Sequence, residues 1–220
     1  MPAARGRDRS RIEDALAALS EALSATGAPW MVIGGIAVIA HGVQRMTTDI
    51  DAVIQGDAVS ARSLLAVLRR HDIVTRVADA EAFAAANLVL LVRHRPTEVD
   101  LDLSFGWTAF EHEALAARVS TRYGKVTAPM AGVEALLVFK AMAGRPRDID
   151  DAVTLLTLHA SNVDLAQVRR QVGELAALAE APELTRGLED IVRAARPASA
   201  EPAKRTPAPK KPGSRPKRSR

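Results

Sequence analysis

The 220-residue chain contains no cysteine. That excludes a disulfide scaffold, cysteine-ligated zinc, an iron–sulfur cluster and a thiol nucleophile. No apolar run approaches the roughly 18 residues that a membrane-spanning helix requires. The N-terminal stretch, residues 1–9, is basic but leads into amphipathic sequence rather than the apolar core of a signal peptide. A cytoplasmic protein with no membrane partner is the expectation. Lysine is scarce, 6 against 24 arginines, and alanine is abundant, the composition of a GC-rich bacterial genome.

The main body also lacks an excess of positive charge. Residues 197–220 carry eight basic side chains against Glu201, a net +7, which leaves 1–196 at −3. The pI of 9.8 therefore belongs to a tail, and an argument from pI for a basic DNA-binding domain fails. The same tail holds 6 of the 12 prolines and no apolar period, so it is predicted to be disordered. The whole chain is 48% hydrophobic and 25% charged, the balance of a soluble globular protein. Its length suits one domain or a small two-lobed protein, large enough to bury roughly 70% of the unfolded-chain surface.

Periodicity orders the elements. Ile12, Ala15, Leu16, Leu19 and Leu23 predict an amphipathic helix over 11–24, stopped by Gly27 and Pro29. Residues 30–33 read as a buried strand and 36–41 as a short helix, with Gly34 and Gly35 between them. Over 48–54, Asp49 and Asp51 alternate with Ile50, Ala52 and Ile54, the period of a strand with one polar face. A helix over 57–70 follows, then strands over 88–92 and 98–103 joined by a hairpin loop. Beyond Gly132 the pattern becomes helical, at 132–143, 147–159, 164–178 and 182–195. The predicted organisation is an α/β lobe over 1–130, a helical lobe over 131–196 and the tail over 197–220.

The chemistry concentrates between Trp30 and Asp51. Asp49 and Asp51 project from one strand face, where two carboxylates repel unless a hard divalent cation joins them. Magnesium suits such a pair, because it completes its shell with phosphate oxygens and water. A solvated polar face is the plainer reading of Asp-x-Asp alone. Gly34 and Gly35, between a strand and a helix, allow backbone N–H groups to approach phosphate, although tight turning also explains them. Strand, Gly-Gly, helix, basic residue, two threonines and Asp-x-Asp in that order set a triphosphate cradle beside a metal site. Asp100 and Asp102 repeat the strand geometry, and either supplies a third carboxylate for a two-metal centre. That third carboxylate draws the proton from an attacking hydroxyl or ligates the metal that activates it.

The run Gly34, Gly35, Ala37, His41, Gly42, Arg45, Thr48, Asp49, Ile50 and Asp51 resembles the nucleotidyltransferase superfamily, specifically its AbiEii-like branch. Lys140, Arg145, Arg147, Asp148 and Asp151 are similar to that branch's second motif, Lys…Arg-x-Lys/Arg-Asp-x-x-Asp, and the resemblance spans 28–160. It implies a small nucleotidyltransferase-type mixed-sheet lobe followed by the helical lobe. It further implies two Mg²⁺ ions on Asp49, Asp51 and Asp102, with Asp100 as rival for the third place. Gly34, Gly35, Arg45, Thr48, Lys140 and Asp148 would then serve the nucleotide, Lys140 at the triphosphate. Gly35 stands where many members have serine, which removes one hydroxyl ligand.

Alternatives accompany these assignments. Lys140 ends an apolar helix face and is equally placed to snorkel. Asp148 has the setting of a helix N-cap, and the surrounding charges that of a surface salt-bridge cluster. His41 and His94 lack partners at metal spacing and read as structural or solvent-facing, while Trp30 and Trp107 read as core. The function implied is Mg²⁺-dependent transfer of an NMP from an NTP to an acceptor hydroxyl on tRNA, a protein or a small molecule. Members of the branch include toxins of toxin–antitoxin and phage-defence systems, so an RNA acceptor or an antitoxin protein joins the NTP as expected partner. The alternatives are a non-catalytic nucleotide- or RNA-binding module of the same fold, which the retained carboxylates oppose, and a structural partner acting through its tail. That tail has the charge to hold RNA by counterion release.

Overall fold

Why the acidic strands come together follows from the chain path in a computed structural model, which describes residues 2–195. The disordered tail expected over 197–220 lies outside them. In order the elements are α1 (Pro2–Ser24), β1 (Trp30–Ile33), α2 (Gly34–Ala40), β2 (Asp49–Gln55), α3 (Ala61–Arg69), β3 (Ile73–Thr75), α4 (Ala80–Asn87), β4 (Val89–His94) and β5 (Val99–Gly106). They continue with α5 (Ala109–Ala116), β6 (Val119–Tyr123), β7 (Val126–Met130), α6 (Val133–Ala143), α7 (Pro146–Leu158), α8 (Leu165–Leu178) and α9 (Glu183–Ala194).

The strands form one mixed sheet in the order β3-β4-β5-β2-β1-β7-β6. β2 and β5 run parallel at its centre, and β1 runs antiparallel to β2 and parallel to β7. On β2 and β5 the residues Ile50, Ala52, Ile54, Leu101, Leu103 and Phe105 are buried in a continuous hydrophobic core. Their alternation predicts that face. The opposite face of β2 is covered only at its far end, where Val53 lies beneath Gly106 and the start of α5. Its near end, carrying Asp49 and Asp51, is left open.

Helices α6–α9 pack on one another, at positions the apolar period predicts. They join the preceding part of the chain through the Phe110–Phe139 ring contact between α5 and α6, centroids 4.9 Å apart, and through polar links. His41 Nε2 lies 2.9 Å from the Ala131 carbonyl, and His159 Nε2 the same distance from the His41 carbonyl. His94 is likewise structural, buried with Nδ1 2.8 Å from Thr97 Oγ1.

Several elements depart from the sequence reading. β3, α4, α5, β6 and β7 occupy stretches where periodicity predicts nothing. β3 has three residues at a sheet edge, and β6 shows water Ser120, Thr121 and Arg122 without alternation. Edge strands have few neighbours to impose a pattern. α5 does announce itself: Thr108 and Glu111 form a reciprocal capping box at its start. Trp30 is in the core as expected, but Trp107 is 59% exposed. It stands just past the end of β5, where its N–H donates to Glu111 Oε2, beyond the covered part of the sheet.

Candidate active site

Parallel pairing sets Asp49 beside Asp100 and Asp51 beside Asp102, so four carboxylates share one open patch of sheet. Asp51 is also paired with Ile33, the last residue of β1, and the next residue, Gly34, begins α2. A cleft of about 270 Å³ forms over this point, lined by Gly34, Gly35, Arg45, Asp49, Asp51, Asp102, Lys140, Arg145, Arg147 and Asp148. Nine of the sequence-predicted residues were Asp49, Asp51, Asp102, Gly34, Gly35, Arg45, Lys140 and Asp148, which line the cleft, and Asp100, which does not. Thr48, the tenth, is exposed and borders a different hollow with Arg11, Ile12 and Glu98.

The glycines are required sterically. Gly34 has φ +61°, and a Cβ there would collide with the Asp51 carboxylate. Side-chain identity at 34 and the position of Asp51 are therefore one constraint. A Cβ on Gly35 would lie 2.5 Å from Thr47 Oγ1. Thr47, not Thr48, is thus the threonine at the site, and its hydroxyl donates to Asp49 Oδ1 at 2.8 Å. Both threonines precede β2, Thr48 at a bend, and it is the loop path that turns the Thr47 hydroxyl toward Asp49.

Burial pushes the Asp51 carboxyl up to about 6, and the charges of Asp49 and Asp102 push the same way, against Lys140 and Arg145. Asp102 is also raised, first by burial and then by Asp49 and Asp100, against the opposing pull of Arg76.

The opposite wall comes from α6 and α7. Lys140 is buried and pairs with Asp148 at 2.7 Å and Asp151 at 2.9 Å, so it does not snorkel to the surface. Asp148 is not an N-cap either. Arg145 occupies that position, and Asp148 sits buried in the first turn, held by Lys140 Nζ and Arg145 Nε. Burial raises its carboxyl, but those two hydrogen bonds outweigh the effect and hold it below the usual range. Asp151 is buried too, bonded to Arg45. The expected surface cluster is therefore partly an interior network tying the loop after α2 to α7. Arg147 donates to the Met46 carbonyl, keeping its charge at the cleft without a carboxylate partner among those found for it.

Arg76 has no sequence motif to announce it. It follows β3, its N–H donates to the Leu91 carbonyl at 2.9 Å, and its guanidinium crosses to β5. There it bonds Asp102 Oδ1 and, at 3.2 Å, Asp100 Oδ2. Asp100 also accepts from Arg93 Nε at 2.6 Å, and this bond leads the causes that lower its carboxyl.

Among the described residues, no three acidic or histidine side chains converge closely enough to hold a metal ion as they stand. The donor chemistry nevertheless fits a hard divalent cation. Asp49, Asp51 and Asp102 present only oxygen to one cleft, and the like charges of Asp49 and Asp102 add to the burial that raises the Asp51 carboxyl.

No protein-family model matches the chain, and no curated protein matches its sequence. Among solved structures, it is similar to the solution structure of the antibiotic-resistance factor ANT(2'')-Ia, with a TM-score of 0.51 and 18% identity. The alignment covers 80% of this chain and 94% of that one. An antigenic nucleotidyltransferase-like protein from Paracoccidioides brasiliensis aligns with a TM-score of 0.47 and 16% identity, over 80% of this chain and 91% of that one. The fold is of the nucleotidyltransferase type, a mixed sheet with helices following it.

Proposed function

We propose that a chain with this fold and this cleft is a Mg²⁺-dependent nucleotidyltransferase that moves an NMP from an NTP to an acceptor hydroxyl. One observation carries the reading: the β2–β5 register sets Asp51 beside Asp102, in a cleft whose other wall holds Lys140, Arg145 and Arg147. Carboxylates on one side and cations on the other complement a metal-bound triphosphate. Asp49, Asp51 and Asp102 would hold one or two Mg²⁺ ions, which when bound supply charge neutralisation and polarise phosphate oxygens.

The remaining roles belong to the chain. Gly34 and Gly35, without Cβ atoms, let Asp51 and Thr47 pack against the start of α2, at the wall of the cleft where phosphate would lie. Arg147 binds the polyphosphate with its charge, while Lys140 acts mainly by keeping Asp148 and Asp151 fixed beneath it. Arg45 ties the loop bearing Thr47 to Asp151, which holds the nucleotide side of the cleft in shape. Asp102 receives the proton of the attacking hydroxyl. The acceptor's oxygen forms a bond to the α-phosphorus and pyrophosphate leaves.

Incubation with each α-³²P-labelled NTP, Mg²⁺ and either total RNA or lysate tests the activity. Label should enter one acceptor class with wild type and none with Asp51→Asn. Absence of transfer from all four NTPs to RNA, protein and small molecules would overturn the assignment. The AbiEii-like motifs further suggest a toxin of a toxin–antitoxin or phage-defence system. Induced expression should then arrest growth, and Asp49→Asn should abolish the arrest.

A further inference from the structure

We infer that Arg76 is a built-in counter-cation that occupies Asp102 and must leave it before a divalent ion can be held by Asp49, Asp51 and Asp102. This rests on the metal-dependent reading above. Its basis is the position of a single guanidinium. Arg76 reaches across β4 and bonds Asp102 and Asp100 at once. Of the three carboxylates that would hold the ion, Asp102 is the one with an arginine bonded to it, while Asp49 takes a neutral hydroxyl from Thr47. Among the described residues no metal-ready trio exists.

The arrangement is suited to release. The Arg76 side chain is 25% exposed, so swinging off Asp102 moves it toward water rather than into apolar surroundings. Asp100 stays as a second partner at 3.2 Å, and Asp100 is itself fixed by Arg93. Loading therefore breaks one ion pair of two, and the retained pair keeps the arginine beside the site. Asp100 then has a role distinct from that of Asp102: it does not line the cleft but anchors the arginine that does the exchanging. Without the guanidinium, three carboxylates would face one another with only the opposite wall for compensation. Arg76 relieves part of that repulsion in the empty site and yields to a doubly charged ion.

Mn²⁺ binding without nucleotide, measured by electron paramagnetic resonance or calorimetry on the full chain, reads the exchange directly. Arg76→Gln should bind Mn²⁺ about two- to fivefold more tightly than wild type, the size of one partly exposed ion pair. Arg76→Lys, which keeps a charge, should lie closer to wild type. Asp51→Asn should abolish binding in either background, tying the signal to the cleft. Equal or weaker binding by Arg76→Gln overturns the inference and leaves the metal site standing, as does Lys binding as tightly as Gln. No cleft binding of Mn²⁺ in wild type or Arg76→Gln overturns the metal-dependent reading itself. If Arg76→Gln fails to fold, Mn²⁺-loaded wild-type crystals decide the matter. Arg76 should be found on Asp100 alone, and Arg76 still bonded to Asp102 beside a loaded metal overturns the inference.

Discussion

Asp51 sits under more electrostatic stress than any other carboxylate of the cleft, because burial and two like charges act on it together. Its folded-state pKa of about 6 lies above the ordinary aspartate value of 3.8. An acid raised in this way stabilises the fold fully below the unfolded value, and that contribution is lost as pH rises through the folded one. The metal-free protein should therefore lose stability between about pH 4 and 6, by up to about 3 kcal/mol from this residue. Asp51→Asn should remove that slope and be more stable than wild type at pH 8, which urea titrations at several pH values would measure. Adding Mg²⁺ should stabilise wild type and leave Asp51→Asn unchanged. The two β5 carboxylates should separate in activity. Asp102→Asn, in the cleft, should lose turnover by more than about 100-fold. Asp100→Asn, bound by two arginines away from the cleft, should lose much less, and the opposite ranking in an NTP-transfer assay would exchange their roles.

Helices α6 and α7 contribute a buried charge network in addition to their apolar packing in the core. Lys140 is 6% exposed and Asp148 2%, so removing one partner leaves the other charged away from water. Such a break costs about 3–5 kcal/mol. Lys140→Met should fall at the lower end, because Arg145 and Arg45 still hold Asp148 and Asp151. The double variant Lys140→Met/Asp148→Asn should be less destabilised than the sum of the singles, since the charge left behind is gone. Chemical denaturation of the four proteins gives the coupling, and strict additivity would mean the pair contributes nothing as a pair. The same network explains why α7 begins where it does. Pro146 at its first turn suits the fixed φ of proline, and Asp148 is delivered inward within that same turn.

At the scale of the whole molecule, the sheet and the helices after it share one continuous core, reaching from Ile12 on α1 to Val192 on α9. The cleft lies where they meet, with carboxylates from β2 and β5 on one side and cations from α6 and α7 on the other. Neither part closes the site alone. A shared core predicts a single cooperative thermal transition of the apo protein, with calorimetric and van't Hoff enthalpies in agreement. Two separated transitions in calorimetry would mean that the helices unfold independently of the sheet.

Local pattern was enough to read β1, β2, β5 and the helices α6–α9, because each buries a face whose period, 2 or 3.6, is written in neighbouring residues. The same parity put Asp49 with Asp51 and Asp100 with Asp102. It could not separate Thr47 from Thr48, which lie in the loop before β2, where no period applies. Elements at the sheet edge escaped, β3 and β6 above all, because few neighbours constrain their composition. Which carboxylate of β5 enters the cleft was a matter of tertiary structure: the β2–β5 register pairs both with β2, and the arginines reaching in from β3 and β4 bind Asp100 from the side. Arg76 belongs wholly to that level. Its partners are 24 and 26 residues away along the chain, and only the pairing of β3, β4 and β5 brings its guanidinium to them.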